Sequence, residues 1–259
     1  MKIYKNYFYK EHEVPSDLRR FFAGLWEFSI RNDMLDKKWS FNSFHLPNLS
    51  ITSINNKISI HLNGSCSHKS NPSSYGGTMV NVFELKPYLL KPVFGVTAEA
   101  ILNRSVSLHE LTSSKVKESS LIPWLKYSFE EKYLRIGNLL NKLAIHQEDD
   151  IISRAVDDFI ESKGILKTRN YIEALPISER QFQRRFKKET GLSPLNFLKK
   201  IKLSYLSQDL IKNDFKDNSI VFDYGYFDQP HYIRDFKDFH GCSPLNYRDR
   251  FKIVKFDLP

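Results

Sequence analysis

Two sets of side chains, fifty residues apart, carry the chemistry to read a nucleic-acid duplex: Arg180, Gln183 and Arg184 in the first, Gln229, His231 and Arg234 in the second. A guanidinium can donate two parallel hydrogen bonds to O6 and N7 of guanine, and a carboxamide can pair with N6 and N7 of adenine. Arg180, Gln183, Arg184 and Lys187 recur at three- and four-residue spacing, which places them on one side of a helix. Lys187, Lys188 and Lys237 lie further along and suit phosphate oxygens, contacts that fix register without reading sequence. His231 also suits a second role, as a packing or capping residue near a helix start. The same exposed charges on an isolated helix would be no more than a solvated face, so the elements that hold them decide the matter.

A second constellation is His61, Cys66 and His68, since imidazole and thiolate both ligate zinc. A structural zinc site needs four convergent ligands, and neither C-x-x-C nor H-x-x-x-H spacing completes this set, so no metal site and no cofactor are expected. G-x-S-x-G, H-E-x-x-H and P-loop patterns do not occur, and no catalytic residue is assigned. The chain does not read as an enzyme.

The elements around the first constellation form an internal repeat. Residues 178–197 (S-E-R-Q-F-Q-R-R-F-K-K-E-T-G-L-S-P-L-N-F) align without a gap on residues 228–247, with eight identities in twenty positions. Arg184 matches Arg234, Phe186 matches Phe236, Lys187 matches Lys237, Gly191 matches Gly241, and Ser193-Pro194-Leu195-Asn196 recurs as Ser243-Pro244-Leu245-Asn246. Ser178 and Asp228 are N-cap residues, and Gln181 completes a capping box with Ser178. Phe182/Phe186 and Tyr232/Phe236 lie four apart and form the face that packs. Gly191 and Gly241 suit the left-handed C-terminal position, after which Ser-Pro starts a new helix. Each copy is therefore helix, tight turn, helix.

A short helix precedes each copy. Thr168 can cap R-N-Y-I-E-A-L, stopped by Pro176, and S-I-V-F-D-Y ends at Gly225. A short helix, a tight turn and an amphipathic second helix make a helix-turn-helix, whose second helix enters the major groove. At these residues the chain resembles the C-terminal DNA-binding domain of AraC/XylS-type transcription regulators, in which two such units are joined by one long helix. The resemblance runs from about Asp150 to Phe251 and is most specific in S-E-R-Q-F-Q-R-R-F-K-K-E-T-G-L-S-P and G-Y-F-D-Q-P-H-Y-I-R-D-F-K-D-F-H-G-C-S-P. Pro176 stands in a turn where the family often has Gly, and Val221 and Tyr224 replace the usual Ala and Leu. The resemblance implies a sequence-specific regulator that reads two successive major-groove segments of double-stranded DNA and works with RNA polymerase.

With 259 residues and 41% hydrophobic composition the chain can bury a core, and its length suggests about two domains. The expected fold is α+β: a mixed strand and helix domain over 1–147, ending in a helical segment, then an all-α domain over 148–259. In the first, L-W-E-F-S-I, K-I-S-I-H-L and T-M-V-N-V-F-E-L read as strands, with turns at N-N, N-G and S-S-Y-G-G. V-P-S-D-L-R-R-F-F reads as a helical start, and Pro87–Leu90 and 97–102 as short helices, the latter capped by Thr97. Phe129, Tyr133, Ile136, Leu140 and Leu143 make an apolar stripe on a helix from about Ser128 to Ile145. The charged Q-E-D-D at 147–150 is the expected linker. Ile152, Ala155, Val156, Phe159 and Ile160 start the helical domain, and the joining helix runs from Pro194 to about Ile211. The order of segments before 103 also resembles a domain of unassigned chemistry that precedes this DNA-binding unit in some regulators.

The net charge of +9 points to an anionic partner. Residues 1–147 carry 19 basic and 12 acidic side chains, whereas 148–259 carry 20 and 18, so the sum does not single out the helical half. Local charge does: residues 180–202 carry +7 and residues 219–240 carry −2, which ranks the first reader above the second. Asp235 and Asp238 beside Arg234 are expected to weaken its field. No apolar run reaches the roughly 20 residues that span a bilayer, the N-terminus lacks a secretory h-region, and Cys66 and Cys242 do not suggest a disulfide framework, so a cytoplasmic protein is expected. The N-terminal domain is expected to sense a ligand or a partner, or to hold a homodimer together. The alternative is an N-terminal ligand-binding or enzymatic module with the helical domain as a docking surface; such a surface needs no outward Arg and Gln at two equivalent helices.

Overall fold

The computed structural model describes residues 2–3, 7–30, 39–40, 46–54, 57–66, 73–74, 78–143 and 150–250. Its N-terminal part contains strands β1 (Lys2–Ile3), β2 (Tyr7–His12), β3 (Phe22–Ile30), β4 (Trp39–Ser40), β5 (Asn48–Ile54), β6 (Lys57–Asn63), β7 (Ser73–Ser74), β8 (Thr78–Leu85) and β9 (Ser105–Ser107). Seven of them form an antiparallel sheet in the order β1-β2-β3-β8-β5-β6-β9, and β4 pairs with β7 apart from it. Register explains where the core sits. Leu25 pairs with Phe83, Phe83 with Leu49, and Leu49 with Leu62, so four fully buried side chains cross the sheet in one row. Paired residues share a face of the pleat, and this face is the apolar one.

The three strands legible as apolar alternation are β3, β6 and β8. Strand β3 begins at Phe22, three residues ahead of the L-W-E-F-S-I window, because Phe22 pairs with Leu85 and a register shift follows before Gly24. The expected helical start at V-P-S-D-L-R-R-F-F is therefore only a 3-10 turn, Ser16–Leu18. Pro87–Leu89 is likewise a 3-10 turn, followed by a π turn over Leu90–Phe94. Residues 97–102 are not helical. Thr97 Oγ1 does accept from the Ala100 amide at 3.2 Å, as a cap would. However, Asn103 takes a left-handed φ of 61°, and the bonds Asn103 N–H to Ser65 O and Gly64 N–H to Arg104 O tie this segment to the end of β6. Backbone groups committed to a neighbouring strand cannot continue a helical ladder.

The helices are α1 (Glu118–Leu121), α2 (Phe129–Lys142), α3 (Ile151–Glu161), α4 (Thr168–Glu173), α5 (Glu179–Thr190), α6 (Pro194–Lys212), α7 (Ile220–Asp223), α8 (Gln229–His240) and α9 (Pro244–Arg250). Ser128 caps α2 through a reciprocal box with Glu131, and the predicted stripe Phe129, Tyr133, Ile136 and Leu140 is buried against the sheet. Phe129 stacks on Phe83 with ring centroids 5.2 Å apart. Helix α2 closes at Leu143, while Ile145 and residues 147–149 of the expected linker lie outside the described residues; Asp150 is the N-cap of α3. Thr168 is the first residue of α4 rather than its cap, which is Lys167.

Two apolar cores result, and they meet along α6. The first runs without a break from the sheet through α2, α3 and α5 to Leu198 and Ile201 of α6. The second gathers Leu203, Leu206 and Leu210 of α6 with Val221, Tyr232, Phe236 and Tyr247. The sheet thus packs on the first helix-turn-helix unit. Polar contacts also tie the turn after β8 to α3: Lys86 Nζ lies 2.7 Å from Asp157 Oδ1, and the Tyr88 hydroxyl donates to the same carboxylate at 3.3 Å. Cys66 is buried, Cys242 is half-buried, and neither forms a disulfide. Among the described residues no helix is long and apolar enough to cross a membrane.

Candidate nucleic-acid interface

The first unit is α4, a turn and α5. Ser178 Oγ accepts from the Gln181 amide at 3.3 Å, and the Gln181 side chain accepts from the Ser178 amide at 3.2 Å. This box fixes the first turn of α5 and hence the direction in which its side chains leave. Phe182 and Phe186 are fully buried; Phe182 packs on Phe186, which packs in turn on Phe159 and Phe197. Arg180, Gln183, Arg184, Lys187 and Lys188 are all exposed. Gln183 Nε2 donates to Glu179 Oε1 at 2.8 Å, which holds the carboxamide along the helix. Among the described residues no carboxylate forms an ion pair with Arg180 or Arg184. Gly191 closes α5 at φ 78°, and Ser193 caps α6 by accepting from the Asn196 amide.

The second unit repeats this plan in α7, a turn and α8. Asp228 Oδ1 accepts from the His231 amide at 2.7 Å, Tyr232 and Phe236 are buried, and Gly241 closes α8 at φ 72°. Gln229, Arg234 and Lys237 are exposed. His231 is held along the helix, with Nε2 3.6 Å from Asp235 Oδ2 and its ring edge-on to Tyr226 at 5.2 Å. That geometry realises part of the packing role offered for His231, and its side chain is still half exposed. Val221 and Tyr224, the bulkier replacements, are accommodated: both are buried, and the Tyr224 hydroxyl donates to Asp209 Oδ2 at 2.6 Å.

Charge is where the structure departs most from the sequence reading. Of the positive side chains between 180 and 202, three on α6 are turned toward the second unit. Lys199 pairs with Asp235, Lys200 is buried with its ammonium over Phe239, and Lys202 places its ammonium 4.1 Å from the centre of the Tyr226 ring. Burial pushes the Lys200 and Lys202 ammonium groups below the ordinary lysine range. Arg185 pairs with Asp150. The solvent-facing positive set of α5 is therefore Arg180, Arg184, Lys187 and Lys188. Asp235, expected beside Arg234 on the surface, is buried instead and turned to α6. These roles of Lys199, Lys200, Lys202 and Asp235 carried no signal in the sequence beyond a charged residue at an inward helical position.

The architecture is a sheet domain followed by two capped helix-turn-helix units on a shared helix. Residues 171–250 match the family model described as a helix-turn-helix domain, and this part of the chain is a helix-turn-helix domain. Among solved structures, ToxT from Vibrio cholerae O395 bound to (E)-4-(8-methylnaphthalen-1-yl)but-3-enoic acid is similar at 12% identity and a TM-score of 0.50, over 96% of this chain and 100% of that one. Wild-type ToxT from V. cholerae strain SCE256, bound to an unsaturated fatty acid, is similar at 13% identity and a TM-score of 0.47, over 100% of both chains. The likeness to the first is one of fold. No curated protein sequence matches the chain.

Proposed function

We propose that this chain is a sequence-specific transcription regulator whose helices α5 and α8 read two successive major-groove segments of double-stranded DNA. One observation carries the reading: two helices fifty residues apart bury equivalent aromatic pairs and leave the equivalent Arg184 and Arg234 in solvent, each among further exposed polar side chains. A docking surface would not need an exposed Arg at the same position of both helices. In this reading Arg180, Gln183, Arg184, Gln229, His231 and Arg234 meet base edges, and Lys187, Lys188 and Lys237 meet phosphates. Residues 1–147 form the regulatory domain and 148–259 the reader, with RNA polymerase as the protein partner. ToxT, the neighbour in fold, is bound to (E)-4-(8-methylnaphthalen-1-yl)but-3-enoic acid, and a small-molecule or protein effector is the proposed ligand of the N-terminal domain here.

Selection of fragments from random duplex DNA by the full chain tests this. Enriched fragments should share a motif, and footprints should cover two segments on one face, about 10 bp apart. A single protected segment would leave α8 without a reading role, and no enrichment would refute DNA reading altogether.

A further inference from the structure

In the turn that leads into α8, Phe227 is 92% exposed, one residue before the N-cap Asp228. The equivalent residue of the first unit, Ile177, is packed against the first core. The difference has a local cause. In the second unit Tyr226 takes the inward position: it is buried, its hydroxyl donates to Asp235 Oδ2 at 3.2 Å, and Lys202 covers its ring. With Tyr226 committed to the interior, the next side chain must leave the surface. The exposure continues on either side, with Phe222 at 51% and Leu245 at 62%. Their equivalents Ile172 and Leu195 line one groove together with Ile177, so the three positions belong to one side of a unit.

A recognition helix presents its N-terminal residues to base edges, so Phe227 stands beside the polar readers Gln229 and His231. A phenyl ring can neither accept from nor donate to a base edge in the manner of those neighbours. The one apolar group on the major-groove edge of a base pair is the C5-methyl of thymine. We propose that Phe227 is a specificity residue whose ring packs on a thymine methyl in the segment read by α8. This rests on the DNA reading proposed above, and it adds an apolar determinant beside the hydrogen-bonding readers Gln229 and His231.

The test starts from the motif that the full chain selects, with each thymine of the α8 segment changed in turn to uracil, which removes only the methyl. Wild-type protein should lose about fourfold in affinity at one thymine, the value of one buried methyl-sized group. F227A should bind the thymine and uracil duplexes equally at that position and keep the wild-type response elsewhere, while F227L should retain part of the discrimination. Since the ring is exposed, F227A should unfold in urea at the wild-type midpoint. If the chain enriches no duplex, DNA reading itself fails. If it enriches a motif, three results overturn the Phe227 assignment alone: an α8 segment without thymine, a wild-type protein indifferent to uracil, or an F227A protein with full uracil sensitivity. Unchanged binding by F227A with lost transcriptional output would place Phe227 on a protein partner and also overturn it.

Discussion

Lys199 Nζ lies 2.6 Å from Asp235 Oδ1, so the joining helix α6 is bonded directly to the reading helix of the second unit. Asp235 is buried and also accepts from the Tyr226 hydroxyl. Removing its carboxylate would leave two donors without their acceptor. Breaking a fully buried pair costs about 3–5 kcal/mol, and the Lys199 side chain is 36% exposed, so Asp235→Ala should cost about 2 kcal/mol. Lys199→Ala should cost less, because Tyr226 still serves the carboxylate. Urea unfolding of both single variants and the double variant reads the coupling, and additive losses would show that the pair does not bind the helices together.

The same bond changes the expected ranking of Arg184 and Arg234. From the sequence, Asp235 and Asp238 flank Arg234 and should make it the weaker reader. With Asp235 drawn to Lys199, one of the two acids that flank Arg234 is withdrawn from the outward field, and the surround of α5 has lost three of the lysines credited to it. Arg184→Ala and Arg234→Ala should therefore cost similar amounts, about 1–3 kcal/mol each where the side chain meets a guanine. Binding measured on the selected site would contradict this if Arg234→Ala lost under about a third of what Arg184→Ala loses.

Lys187 and Lys188 remain exposed at the far end of α5, where phosphates are the natural partners. Each phosphate neutralised releases condensed counterions and contributes about 0.9 to the slope of log affinity against log salt. Lys187→Ala with Lys188→Ala should weaken binding to every duplex and flatten that slope by up to about 2. An unchanged slope across a salt series would mean that neither ammonium touches the backbone.

The helical half was legible because each of its signals is local. Ser178 with Gln181, Asp228, Gly191, Gly241 and the Ser-Pro pairs act within a few residues of themselves, and every one of these caps is found in place. The sheet was legible only where apolar alternation is strong. Strand β5, N-L-S-I-T-S-I, gives only a weak signal although Leu49 and Ile51 alternate into the core, because serine and threonine dilute the pattern. Residues 97–102 read as a helix because only the bonds to Ser65 and Gly64 forbid it. The inward lysines are illegible for the same reason: Lys200 and Phe239 are far apart in sequence, and nothing near Lys200 announces the ring.

Glu84 provides the test of how pH acts on the contact between the sheet and α6. Its carboxyl is buried on β8 within reach of the Trp26 side chain, and burial, with the Glu11 charge as a second cause, pushes its pKa from 4.5 up to about 8. Burial also pushes the Tyr205 phenol on α6 up to about 12, and the charge of Glu84 adds to that shift. Between about pH 4.5 and 8 the unfolded chain has released the Glu84 proton while the folded chain retains it. Stability should therefore fall as pH rises through that window and level off on either side, by an amount on the order of a few kcal/mol. Glu84→Gln keeps an acceptor for Trp26 and cannot ionise, so its stability should exceed the wild type most above pH 8 and converge on it below about pH 5. Subtracting the two pH profiles removes titrations common to both proteins. A difference that stays constant from pH 5 to 9 would show that Glu84 does not hold its proton in the folded chain.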